Sequence, residues 1–442
     1  MERDPQGRQS ARMEPAVMIS KRLTITAAVL AVAAVGTVTY QVAAQPAGHA
    51  RRLAAPTTRT DSTTAGSGSQ TATARPASSA AAKSGAAATS ARGTSAATPA
   101  AITGRPGYVP PVGHVFVINI ENKGYATTWG ASSAAPYLAK TLRAKGVLLD
   151  SYYGTAHNSE PNYVAQISGQ APNPQMQGDC QVYSQFVGVT TVAPGQLVGT
   201  GCVFPASVPT LPGQLTAKHL TWKGYMEDMG TPCRHPDLNS QDQTQSAKVG
   251  DQYATRHDPF MYFASITGSA QCAKQVVDLK NLSTDLRSVA TTPNLSYITP
   301  NLCHDGHDSP CVDGQPGGLV SVNTWLQTWV PKILGSPAFK QDGVLVITAD
   351  ESDSPQSDAT ACCGEGPGPN SPLAGIAGQG GGLIGALVIS QWTAADTWST
   401  TPYNHYALLA SIEEMFGLSK IGYAQTSGLN RFGLDVYNSG WK

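Results

Sequence analysis

The sequence predicts an α/β protein, a three-layer α/β/α sandwich built on a mostly parallel central sheet. Three observations predict it. Several short runs are almost wholly apolar, such as His114-Val-Phe-Val-Ile-Asn-Ile120 and Val344-Leu-Val-Ile347, as expected of strands buried on both faces. These runs alternate with stretches of helical periodicity rather than with tight hairpins. Ionisable residues gather directly after the runs, where open α/β sheets bind ligands.

The chain has 442 residues, and the folded part is expected to begin near residue 108. Residues 1–22 are polar and basic, and Leu23 to Ala44 is apolar or small apart from a few interruptions. Val42-Ala43-Ala44 then precedes Gln45. That order fits a signal peptide cleaved after small residues, although the same stretch is long enough for an N-terminal membrane anchor. Either way the remainder is expected to be secreted or held at the cell surface. Residues 45–107 are rich in Ala, Ser, Thr, Gly and Pro, with almost no large apolar side chain. Such a segment buries too little surface to offset its ordering entropy, so it reads as a disordered linker. Residues 108–442 remain for one catalytic domain.

Within that region the elements follow in order. His114–Ile120 is a buried strand, bounded before by Pro110-Pro111 and Gly113. Pro136–Lys145 reads as a helix with Leu138 and Leu142 on one face, and Val147–Tyr153 as a strand. His157-Asn-Ser-Glu-Pro-Asn-Tyr163 is a loop turning directly into a helix, with Ser159 at the N-cap, Pro161 in the first turn and Gly169 at the stop. Residues 170–213 read as a long loop or small insertion over the site. A strand over Leu220–Met226 ends in Glu227-Asp228, and Leu295–Ile298 is another. Gly318–Leu334 is an amphipathic helix, and Val344–Ile347 runs into Asp350-Glu351. The Gly-rich loop 364–382 precedes a last strand at Ile384–Ile389 and a last helix at Asn404–Phe416.

Composition narrows the partners. Formal net charge is zero, 13% of residues are charged, and the folded part has no basic run, which argues against nucleic acid. Contact with a membrane is expected only through the N-terminal segment or a lipid substrate. The eight cysteines all fall in the folded part, and an even number in an exported chain suggests disulfides. Cys303 and Cys311 are close enough in sequence to close a short loop. The sequence leaves the rest of the pairing open.

The candidate site is assembled from the strand ends. A serine at a helix start has free backbone N–H groups and the positive end of the helix dipole beside it, which suits a phosphate. Glu121, Asp350 and Glu351 are placed to hold a divalent cation that activates Ser159 and cradles phosphoryl oxygens. His257 and His307 could bind those oxygens or protonate a leaving group. Each residue also has a plainer reading: a capping serine, solvated carboxylates, turn histidines. The run His304-Asp-Gly-His-Asp308 is denser in ionisable groups than a plain turn requires.

Five blocks in order carry a resemblance over nearly all of 113–418. They are Phe116-Val-Ile-Asn-Ile-Glu-Asn122, Ser159-Glu-Pro-Asn-Tyr163 with Ser168-Gly169, Pro300-Asn-Leu-Cys-His-Asp-Gly-His-Asp308, Ile347-Thr-Ala-Asp-Glu351 and His405-Tyr-Ala-Leu-Leu409. Together they resemble the phosphoesterase family, which contains bacterial acid phosphatases and phospholipases C and belongs to the alkaline phosphatase superfamily. The chain is most similar to the shorter secreted acid phosphatases, including mycobacterial enzymes acting on phosphatidylinositol 3-phosphate. The resemblance implies an alkaline phosphatase-like fold and a phosphomonoesterase with Ser159 as nucleophile and His257 and His307 around the phosphoryl group. Glu121, Asn122, Asp350 and Glu351 match metal-site positions, while Asn162, His304 and Asp305 are assigned to substrate. No further histidine appears in the block after Asp350, so a single divalent metal, or none, is expected rather than two. Oxygen ligands favour calcium, magnesium or manganese. The implied partners are phosphorylated small molecules or phosphoinositide head groups. The rival readings are a phospholipase C acting on diesters and a non-catalytic surface binding protein. A Ser-His-Asp esterase ranks below these because no Gly-x-Ser-x-Gly elbow surrounds Ser159.

Overall fold

The computed structural model describes residues 108–439 apart from Glu365. The signal or anchor expected at 1–44 and the linker at 45–107 lie outside the described residues. Eight strands form one sheet: β1 His114–Ile120, β2 Val147–Leu149, β6 Trp222–Met226, β7 Val276–Asp278, β8 Leu295–Thr299, β9 Gly343–Ala349, β10 Ala386–Ser390 and β11 Thr397–Ser399. Two small pairs stand apart, β3 Tyr152–Tyr153 with β12 Tyr403–Asn404, and β4 Val187–Val192 with β5 Gln196–Thr200.

The sheet order is β11-β2-β10-β9-β1-β8-β6-β7. Only β10 runs against its neighbours, so the expected mostly parallel α/β sheet is present. Every residue of β1 and of β9 is buried. Because successive side chains point to opposite faces, such strands must be covered on both sides. The Pro337–Asp342 helix packs against β1 and β9, with Phe339 and Phe116 rings 6.2 Å apart. The Ser159–Ser168 helix is buried at every position and packs on the His405–Met415 helix.

Several expected elements differ in detail. Pro136–Lys145 is a π-helical turn over Tyr137–Leu142 followed by a 3₁₀ turn over Arg143–Lys145, not an α-helix. The strand expected over Val147–Tyr153 breaks at Asp150-Ser151, where Asp150 N–H bonds Ser399 O and Ser151 O accepts from Tyr403 N–H. Its two halves therefore serve different sheets. Residues 170–213 contain the β4–β5 hairpin, and Cys180–Cys202 ties the segment before it to the segment after it. The Gly-rich loop holds this hairpin through Asn370, whose side chain accepts from Gly199 N–H and donates to Leu197 O. All eight cysteines are paired. Cys303–Cys311 is joined as expected, with Cys180–Cys202, Cys233–Cys272 and the adjacent Cys362–Cys363. No helix among the described residues is long and apolar enough to cross a membrane.

Candidate active site

Three adjacent strands, β9, β1 and β8, end at the same edge and deliver the polar groups there. Glu121 and Asn122 follow β1, Asp350 and Glu351 follow β9, and Asp305 lies in the turn after β8. Backbone bonds fix their register. Glu121 N–H donates to Asp305 O at 2.8 Å, and Asn122 N–H donates to Asp350 Oδ1 at 2.9 Å. Asn122 makes this turn at φ +44°, a conformation asparagine tolerates better than most residues.

Ser159 arrives from the other side. It is the first residue of its helix and not the N-cap that the sequence suggested; Asn158 precedes it at φ +63° and makes no side-chain cap. Relieved of capping, the Ser159 hydroxyl donates to Glu121 Oε2 at 2.8 Å, and the Tyr163 hydroxyl donates to Glu121 Oε1. Asn162 has a different task from the substrate contact expected of it. Its Oδ1 accepts from Thr155 N–H, Thr155 Oγ1 and Ala156 N–H, and its Nδ2 donates to Ala156 O and Asn158 O. Those bonds use both ends of the amide, so Asn162 shapes the turn that presents Ser159.

His257 bridges two carboxylates. Its Nδ1 pairs with Asp305 Oδ2 at 3.1 Å, and its Nε2 lies 3.4 Å from Glu121 Oε2. The ring stacks on Tyr163, with centroids 5.4 Å apart. Glu121, His257 and Asp305 are all buried and offer ligand atoms within 4.8 Å of one another, a spacing able to hold a metal ion. This set overlaps the expected ligands only at Glu121. Glu351 is instead paired with His157 Nδ1 and accepts from Asn122 Nδ2 at 2.9 Å. Yet the expected set keeps two orphan acceptors, for Asn122 Oδ1 and Asp350 Oδ2 are buried without a hydrogen-bond partner. Buried acceptors of this kind are costly unless something satisfies them.

The electrostatics agree with that cost. Burial, then the charges of Asp350 and Asp305, push the Glu121 carboxyl well above its usual range. Burial does the same to Asp305 and Glu351 and raises Asp350 to about 6. His257 is held well below its usual value by burial and by the charges of Arg256 and His307, so it is neutral. Four carboxyl groups around a neutral imidazole form a site short of positive charge.

The other expected residues occupy two further places. His307 is exposed, with Nδ1 on Asp308 at 2.8 Å and Nε2 accepting from Arg256 at 3.2 Å; its ring lies 5.8 Å from His257. His304 turns the other way, with its Nδ1 3.0 Å from Glu227 at the end of β6, and the structure does not bring it to Ser159. His405 positions: its Nε2 bonds Asp350 O at 2.6 Å and its Nδ1 meets Tyr152 OH at 3.1 Å. Sequence reasoning passed over Tyr163, His157, Arg256 and Asp179. Tyr163 and His157 lie within the motif around Ser159, which was the available signal. Asp179 lies in the loop 170–213 and had none.

The fold and site define an α/β protein with a serine at a helix start, facing buried carboxylates at the carboxyl edge of a parallel sheet. Residues 130–419 match the Phosphoesterase family, and the chain belongs to it. The strand bearing Glu121 lies ahead of the matched span. The chain is 23% identical over 307 residues to an acid phosphatase of Aspergillus fumigatus, across 70% of this chain and 55% of that protein. It is 22% identical over 316 residues to a phosphatidylinositol-3-phosphatase of Mycobacterium tuberculosis, across 72% of this chain and 81% of that one. The chain spans about half the length of the fungal acid phosphatases it matches. Among solved structures it is similar to a protein in the alkaline phosphatase superfamily from Vibrio parahaemolyticus, with a TM-score of 0.43 and 14% identity. That likeness covers 74% of this chain and 72% of the other.

Proposed function

We propose that this protein is an exported phosphomonoesterase that works through a phosphoserine at Ser159. The observation that carries the reading is the 2.8 Å bond from the Ser159 hydroxyl to the buried Glu121 carboxylate, at the start of a buried helix. The named activities of the relatives support it. Residues 108–442 form the catalytic domain, and the four disulfides support export of this domain through the N-terminal segment.

In the first half-reaction Ser159 Oγ gives its proton to Glu121 and forms a bond to phosphorus. The bond from phosphorus to the leaving alkoxide breaks, and His307, at the exposed rim, supplies the proton that alkoxide needs. In the second half, water deprotonated by His307 attacks phosphorus and Ser159 leaves, recovering its proton from Glu121. Arg256 and His257 orient the phosphoryl oxygens. Tyr163 and Asn162 act as positioning residues, one on Glu121 and the other on the turn before Ser159.

The site fits one divalent cation. Glu121, Asn122 and Asp350 would hold it, with Glu351 behind Asn122, because the orphan oxygens of Asn122 and Asp350 are hard acceptors with no partner. His257 and Asp305 stand close enough to Glu121 to share in that task. When bound, the ion supplies charge neutralisation for the carboxyl cluster and for the phosphoryl oxygens. An oxygen-dominated set favours calcium, magnesium or manganese.

The substrate class we infer is phosphorylated small molecules, with phosphoinositide head groups included because a relative is named for one. The test is release of nitrophenol from a mono-ester and a bis-ester of phosphate, with Ser159→Ala as the blank. Turnover of the mono-ester that vanishes in the variant is expected. Preference for the bis-ester would move the assignment to a phospholipase C. A silent protein at every pH, with and without divalent metal, would leave only the binding-protein reading.

A further inference from the structure

The start of the Ser159 helix is not open to solvent. Asp179, distant in sequence, lays its carboxylate across it. Asp179 Oδ1 accepts the Glu160 N–H at 3.0 Å. On its other side Asp179 Oδ2 lies 3.9 Å from Arg256 Nε, and Arg256 in turn donates to His307. A helix-start amide and a guanidinium therefore flank one anionic side chain, with an imidazole beyond the guanidinium. That donor set is the one a tetrahedral oxyanion bonded to Ser159 would need.

The placement is built rather than incidental. Asp179 takes φ +53° directly after the 3₁₀ turn Met176–Gly178, and its neighbour Cys180 is tied to Cys202. The same segment reaches Asn158, whose Nδ2 donates to Gln177 O. Around this spot lie buried polar atoms that make no hydrogen bond. His257 Nε2 and Asp350 Oδ2 are buried without hydrogen bonds, and Asp179 adds to the negative field at Asp350 and Glu351. A phosphate dianion entering beside Ser159 would meet that carboxylate at close range, and like charges at such distances repel by several-fold in affinity or more.

We propose that Asp179 stands in for the phosphoryl oxygens in the resting protein and acts as a built-in competitor that phosphate must displace. This rests on the reading of Ser159 as nucleophile. It makes Asp179 a determinant of how tightly phosphate and phosphate esters bind, and it weakens retention of the product as well as capture of substrate.

The experiment is the competitive inhibition constant of inorganic phosphate, measured with a nitrophenyl mono-ester on the wild type and on Asp179→Asn. Asparagine keeps an acceptor for the Glu160 N–H and removes the charge. Asp179→Ser is measured beside it, in case the amide does not fit, and thermal melts show that each variant is folded. The expected result is a phosphate inhibition constant lower by roughly fivefold or more, with KM falling in step. A helix cap alone could not tighten phosphate binding. An unchanged or weakened inhibition constant in folded variants overturns the proposal and makes Asp179 a positioning residue for Arg256. Failure of the underlying reading looks different, because Ser159→Ala would then retain turnover whatever Asp179 does.

Discussion

Two histidine–carboxylate groups sit at the same edge of the sheet, and their differences separate chemistry from support. His257, with Asp305 and Glu121, is buried almost completely, and its Nε2 lacks a hydrogen bond. His304, with Glu227, keeps a quarter of its side chain exposed, and the Asn301 N–H donates to the same Glu227 oxygen at 3.0 Å. Their titration goes in opposite directions. Burial pushes His257 down, reinforced by Arg256 and His307. Burial also pushes His304 down, but Glu227, Asp228 and Asp313 outweigh it and hold it above its usual value. One group is neutral, dry and unsatisfied, and the other is a satisfied, wetter ion pair. Unsatisfied burial is costly, and such a cost is tolerated where it serves a function.

The strongest way to break this contrast is Ser159→Ala. It should lower kcat/KM by on the order of 10⁴-fold or more if Ser159 is the nucleophile, with little change in melting temperature. A residual rate within tenfold of the wild type would detach the buried cluster from the chemistry.

Glu121→Gln sharpens it from the other side. We expect activity to fall by about 10²- to 10³-fold, since the Ser159 hydroxyl loses its acceptor carboxylate. The metal-free protein should nonetheless melt higher, because one buried carboxyl is replaced by an uncharged isostere that still bonds Ser159 and Tyr163. Differential scanning calorimetry in chelator reads the second effect. A variant both inactive and less stable would mean that Glu121 is held there by packing needs.

The same contrast explains what could be read from the chain. The strands were legible because β1 and β9 are apolar along their length, and their ends carried Glu121, Asp350 and Glu351 to one edge. Local motif gave Ser159, but not its place in the helix, which depends on Asn158 adopting a positive φ. The resemblance assigns Asn162 to substrate; only its five bonds to the turn reveal that both ends of the amide are spent. The sequence assigns both His257 and His304 to the site, since which distant strand each one faces leaves no mark in it. Asp179 belongs to a loop with no periodicity, and its position follows from a disulfide and a turn that leave no pattern in sequence.

A smaller effect tests the charge deficit. Asp350 titrates near 6 in the folded protein against an ordinary value of 3.8, so the folded state holds this proton more tightly than the unfolded chain. Its burial therefore weakens the fold above pH 6, and the penalty is relieved as pH falls from 6 towards 4. In chelator the wild type should gain stability as pH drops from about 7.5 to 5, opposite to a salt-bridged aspartate. Asp350→Asn should flatten part of that slope and add about 3 kcal/mol near neutrality. Glu121, Asp305 and Glu351 push the same way, so the slope should persist in reduced form. Chemical denaturation across that range checks it, and a wild-type curve that falls on acidification would overturn the reading of the cluster as short of positive charge.

The smallest effect belongs to His304→Gln, and it is the one that decides whether the second pair is only structural. His304 is held above its usual value, so its bond to Glu227 contributes stability that is fully present below the unfolded pKa near 6.5. That contribution fades as pH rises through the higher folded value. The variant should therefore lose about 1 kcal/mol at pH 5.5, less at pH 8.5, the figure being modest because the pair is partly exposed. Turnover should change by less than about threefold, because the ring points to Glu227 and away from Ser159. A loss of activity comparable to that of a His257 variant would place His304 at the substrate after all, reached by a movement of the turn between Asn301 and Asp308. In that event satisfaction in the resting structure would no longer distinguish support from chemistry at this edge.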